Sequence, residues 1–242
     1  MTTTTLARTS APRRDLGALT GALYVLFFAA SLVVAGAIGP SGTVTPYSSD
    51  AEVQAYRLKD PTALEHLFRV LGLLQGLSAL ALLAFVPRLT AFVRRSGSEA
   101  HAGVVRALAT VAGALLLLSA SISWVLAQIG ARAELSTYRA VSDLSFITGA
   151  GPAVAALGVA VFLVAATGRT SRALPAWVAW SGMVIGVASL LSMSSLVAEG
   201  GSVFIPVGRF LGFAWFAALS VLLWGRGGRT DDLTGSGMPR HP

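Results

Sequence analysis

Six stretches of about 20 mostly apolar residues, each long enough to cross a hydrocarbon core, run along this chain at 18–38, 67–85, 104–129, 144–166, 176–197 and 203–224. No other feature constrains the fold as strongly. Inside lipid every backbone amide and carbonyl must find a partner within the protein, which leaves helices or a closed barrel. Barrel strands alternate apolar and polar residues, and these stretches do not. They predict an all-α fold, a polytopic transmembrane bundle of six helices occupying 18–224. Composition agrees. Only 12% of the residues are charged, about half the roughly 25% of a soluble domain.

Basic residues set the expected direction. Arg8, Arg13, Arg14, Arg88, Arg94, Arg95, Arg106, Arg169, Arg172, Arg226, Arg229 and Arg240 fall on one side of the spans. The alternate side holds Arg57, Lys59, Arg69, Arg132 and Arg139, and Arg209 lies inside the last span. Cytoplasmic loops collect arginine and lysine, so both termini are expected in the cytoplasm, in a multi-pass protein of the plasma (inner) membrane. Trp177, Trp180 and Trp224 then sit at the cytoplasmic interface, where amphipathic rings are favoured. The first stretch follows "RR" and ends near "AGA" at 35–37, as a cleaved leader would. Its apolar run exceeds the 7–15 residues or so of a leader core, and it is read as a retained span.

The ends, 1–17 and 225–242, are polar and rich in Gly, Pro and Thr, and are expected to be disordered cytoplasmic tails. Between the first two spans lies one sizeable external loop, 39–66. Within it "SDAE" (49–52) fits a capping box, in which a serine and a glutamate satisfy free helix amides reciprocally. Asp60-Pro61 fits an N-cap followed by proline at the first helical position. A short surface helix over 50–59 is therefore predicted, then a second span that begins before the membrane.

Several chemistries are disfavoured. The net charge of +7 comes from scattered arginines without a cluster of five, so no nucleic-acid partner is expected. There is no cysteine, no H-E-x-x-H, no Walker loop and no G-x-S-x-G, so no enzyme and no cofactor is expected. His66, His101 and His241 lie far apart, and no metal site is expected. Four G-x-x-x-G pairs occur, Gly17/Gly21, Gly72/Gly76, Gly182/Gly186 and Gly208/Gly212. Such pairs let helix backbones approach closely, within the bundle or between copies in a homo-oligomer.

Helical periodicity collects polar and small residues into stripes that lead toward the external side. Glu65 and Arg69 share a face with Gly72 and Gly76, and Gln128 one with Thr110, Ala114 and Ser121. Ser192 and Glu199 follow Ser181 and Ala188, and Asp143 opens the fourth span. Two readings follow: helix packing with charges marking the interface, or an outward-facing polar vestibule built from Glu65, Arg69, Gln128, Asp143, Ser192, Glu199 and Arg209. Glu65 and Arg69 are four apart and suited to pair. Arg209 has no acid one turn away. It is expected either to snorkel to the headgroups or to pair across the bundle with Asp143 or Glu199.

"SRALPAWVAWSGMVIGVASLL" (171–191) and "RRDLGALTGALYVLFF" (13–28) resemble elements of a family of bacterial six-helix membrane proteins of unknown function. The resemblance implies a bacterial inner-membrane fold and no catalytic residues. Two functional expectations are carried forward. The first is a structural, sensory or envelope role with membrane lipids as partners. The second is a small-solute transporter or lipid-binding protein using the vestibule. Against transport stand the scarcity of mid-membrane charges and of broken helices at matched places.

Overall fold

The computed structural model describes residues 16–41 and 44–226. The expected tails fall almost wholly outside the described residues, as do Arg8, Arg13, Arg14, Arg229, Arg240 and His241. Helices α1 (Leu19–Ile38), α2 (Asp50–Lys59), α3 (Pro61–Arg95) and α4 (Glu99–Ile129) are followed by α5 (Leu135–Gly149), α6 (Gly151–Thr170), α7 (Ala176–Leu191) and α8 (Phe204–Arg226). Among the described residues six segments are long and apolar enough to cross a membrane: α1, α3, α4, α5 with α6, α7 with its 3₁₀ extension, and α8 with its 3₁₀ lead-in. The chain is a multi-pass membrane-spanning helical bundle.

Consecutive spans are neighbours, and the last returns to the first: α1 packs on α3, α3 on α4, α4 on α5 and α6, α6 on α7, α7 on α8, and α8 on α1. Short connections account for several of these neighbours. The α3–α4 turn needs only Ser96–Ser98, with Gly97 at φ 92° in the left-handed region that glycine adopts without strain. Aromatic side chains fill the middle of the ring. Tyr24 and Phe28 of α1, Phe85 of α3 and Phe213 and Phe216 of α8 are buried. Their rings meet edge-on or tilted, at centroid distances such as 5.4 Å for Tyr24–Phe216 and 5.1 Å for Phe28–Phe213. Polar side chains tie the helices together where an unpaired group in lipid would be costly. Ser78 of α3 donates to the Tyr24 carbonyl at 2.8 Å, and the Trp215 indole of α8 to the Val178 carbonyl of α7 at 2.9 Å.

Small residues let α6, α7 and α8 approach closely. A side chain on Gly182 would begin 2.6 Å from the Trp215 indole nitrogen, and one on Gly186 would begin 2.7 Å from the Gly158 carbonyl. A Cβ added at Gly72 would start 3.0 Å from the Ala120 carbonyl of α4, and one at Gly208 3.0 Å from the Ser189 Cα. These glycines serve contacts within the chain.

The connection between α1 and α3 folds as its sequence indicates. Ser49 accepts from the Glu52 amide, and the Glu52 carboxylate accepts from the Ser49 amide at 2.7 Å. These contacts hold the Glu52 carboxyl below its usual range. Asp60 caps α3, with Pro61 at its first turn.

The fourth span departs from expectation. The stretch 144–166 is read from sequence as one continuous helix, but α5 ends at Gly149 and α6 begins at Gly151, with Ala150 at φ −107° and ψ −108° between them. Pro152 is the physical reason. It has no N–H to donate back to Thr148, and its ring crowds the Thr148 carbonyl, so a continuous helix cannot run through it unbroken. The fifth span also changes character, passing from α-helix to a 3₁₀ segment at Ser192–Leu196.

Candidate functional site

The broken fourth span matters because of what it uncovers. In a continuous helix the Gly149 carbonyl would accept from the amide of Ala153. The break removes it from that ladder, and the Arg209 guanidinium of α8 donates to it instead. The same guanidinium lies over the Phe28 ring, 4.8 Å from its centroid. On the other side of the break the Gly151 carbonyl accepts from Ser192 Oγ at 3.0 Å.

Arg209 neither snorkels free nor meets Asp143 or Glu199; among the described residues it makes no ion pair with a carboxylate. The helix break supplies an uncharged acceptor inside the bundle, and the charge stays there. Together with Phe28 and Gly149 it forms the floor of a cavity of about 710 Å³ between α1, α3, α4, α5 and α8. Leu67, Phe68 and Leu71 of α3, Leu126 of α4, Phe146 of α5 and Ile205 before the second turn of α8 give it apolar walls. Gln75, Ser119, Ser142 and Ser145 add polar atoms. Ser119 Oγ donates to the Ser145 carbonyl at 2.9 Å, close against Gly149.

Helix α2 borders the far end, with Tyr56 reaching the cavity wall beside Ser41 and Val44; burial raises the pKa of the Tyr56 phenol. Val53 and Arg57 of α2 are buried beneath it. Arg57 donates to the Ala133 carbonyl at 2.7 Å and lies over the Tyr138 ring. Arg139 of α5 ties the start of α2 down: it pairs with Asp50 at 2.5 Å and donates to the carbonyls of Pro46 and Ser48 at 3.0 and 2.7 Å. Lys59 holds the other end to the Ser41 hydroxyl, and Tyr47 donates to the Ser195 carbonyl at 2.7 Å.

Of the seven residues read from sequence as a vestibule, only Arg209 reaches this cavity. Glu65 and Arg69 pair with each other at 2.5 Å and, with Gln128 and Arg132, line a smaller pocket of about 240 Å³ at the start of α3. Asp143 lies 3.8 Å from Arg139, whose closer acid is Asp50. Ser192 is fully buried in helix packing, and Glu199 is exposed at the start of the 3₁₀ segment Glu199–Val203. The physical reason is rotational. The Glu65–Gly72–Gly76 face of α3 turns toward α4, and Thr110, Ala114, Ser121 and Gln128 of α4 face outward. The face of α3 that lines the cavity is Leu67, Phe68, Leu71 and Gln75. Gln75, the lone polar residue in "LLQGL", and the "GAGP" of the break carried the missed signal. His66 is exposed, and the His101 ring sits 3.0 Å from the Thr167 hydroxyl.

No family model, no curated protein and no solved structure matches the chain.

Proposed function

We propose that this chain is an integral protein of a bacterial plasma membrane, with both termini in the cytoplasm, that binds an amphiphilic small molecule in the cavity beneath α2. The cavity carries this reading. At about 710 Å³ it falls in the roughly 300–1,000 Å³ class of small-ligand sites, and its mainly apolar wall with a few placed polar groups has their usual character. A purely structural role favours an interior packed throughout. The arginine distribution supports the orientation, and the family resemblance supports the bacterial membrane.

Binding is favoured over alternating-access transport, because one broken span stands without a matched partner in the other half of the bundle. The wall offers hydroxyls, a carboxamide and a guanidinium, groups that hold a ligand, and we assign it no catalytic step.

Native mass spectrometry of the purified protein tests this. The expected spectrum contains a non-covalent organic adduct that is lost in Ser142→Trp, where the indole fills the cavity. A wild-type spectrum without any adduct, or an equal adduct in the folded tryptophan variant, contradicts the proposal.

A further inference from the structure

Arg209 is the only side chain on the cavity wall that is charged at neutral pH; no aspartate, glutamate, lysine or histidine lines it among the described residues. One hydrogen bond to the Gly149 carbonyl and one aromatic face satisfy only part of a five-donor guanidinium. The carboxamide of Gln75 and the hydroxyl of Ser142 also face the cavity, and neither has a hydrogen-bond partner among the described residues. The guanidinium is half-buried and turns its unused donors to the cavity, and a charged donor binds an anion more strongly than a neutral acceptor, so its vacant half selects for negative charge.

The direction of the rest of the ligand follows from space. On the inner side of Arg209 the crevice among Leu82, Leu116, Val161 and Phe216 holds only about 30 Å³, room for roughly one water molecule. The room lies on the α2 side, along Leu67, Phe68, Leu71 and Phe146.

We infer that the ligand is an anionic amphiphile, whose carboxylate or phosphate head sits on Arg209 at the floor of the cavity and whose apolar body extends toward α2. This rests on the cavity being a binding site and adds the charge, the contact residue and the orientation.

Equilibrium binding to wild-type protein in phosphatidylcholine nanodiscs tests it with four probes: dodecanoate, dodecyl phosphate, neutral dodecanol and inorganic phosphate. At least one of the two anionic amphiphiles is expected to bind about 10- to 100-fold tighter than dodecanol, the range of a charged hydrogen bond, and the tighter of the two identifies the head group. Arg209→Gln is expected to bring both down to the level of dodecanol while leaving dodecanol unchanged. Arg209→Lys retains most of the preference.

Equal wild-type affinity for dodecanol and both anions overturns the anion site and leaves the cavity reading standing. Inorganic phosphate binding as tightly as dodecyl phosphate overturns the amphiphile. If none of the three amphiphiles binds, both readings fall. Should Arg209→Gln fail to fold, the wild-type comparison of dodecanoate with dodecanol still decides.

Discussion

Valine at position 186 is expected to destabilise the folded bundle by about 3 kcal/mol, the upper range for overpacking a filled interior. Gly186 lies on α7 opposite Gly158 of α6, and a Cβ there would start 2.7 Å from the Gly158 carbonyl and 2.6 Å from the Phe162 Cβ. Neither obstacle is the free end of a flexible side chain. Relief therefore requires the two helices to separate, and separation also pulls on Ser189, Gly208 and the seat of α8. Gly103 of α4 provides the control: it is exposed, and a Cβ there meets nothing within 4 Å. Gly103→Ala is expected to leave stability unchanged or raise it by up to about 1 kcal/mol through helix propensity. Unfolding in mixed micelles checks the pair. Similar midpoints for both variants would show that the α6–α7 contact does not depend on glycine.

Replacing Arg209 with methionine is expected to invert the order of stability between the empty and the occupied protein. Without ligand, the wild type holds a cation inside the bundle with no anion to balance it. Exchanging this half-buried charge for an apolar side chain of similar length removes its desolvation cost and is expected to stabilise the empty protein, by up to about 1 kcal/mol. The Gly149 carbonyl loses its donor, but it lines the cavity and can be hydrated there. With dodecanoate at about 100 times its dissociation constant, the wild type gains about 2.7 kcal/mol by mass action, and the methionine variant gains far less. Thermal unfolding with and without dodecanoate reads both halves. An Arg209 that serves only to pin Gly149 predicts the reverse: the variant is less stable in both conditions, by a margin that ligand does not change.

The parts of this fold legible in the sequence are those fixed by local chemistry. Apolar length marked the six spans, and the Ser49–Glu52 pair and Asp60-Pro61 marked α2 and the start of α3. The break at Ala150 was signalled locally too, by Gly149, Gly151 and Pro152 within five residues, but a strongly apolar window masks an interruption that hydropathy cannot register. The site was less legible for a different reason. Periodicity places residues on one face of a helix without saying which neighbour that face meets. Glu65, Arg69 and Gln128 come together, yet around a small pocket at the start of α3. Ser192, read as a vestibule lining, is instead buried between α6 and α7, where its hydroxyl donates to the Gly151 carbonyl. Arg209 drew attention because it lacked a local acid. Its actual acceptor, a main-chain carbonyl, exists only because another helix breaks 60 residues earlier in the chain.

The most direct test of the account is to locate the ligand in the bundle. A dodecanoate probe with a photoreactive diazirine along its chain, irradiated with wild-type protein in phosphatidylcholine nanodiscs and mapped by peptide mass spectrometry, is predicted to label the peptides containing Phe68, Leu71 and Phe146. Excess unlabelled dodecanoate should compete that labelling away. Labelling confined to outward-facing residues such as Leu118 and Trp124, and insensitive to competitor, would place the probe in bulk lipid and contradict a binding cavity beneath α2.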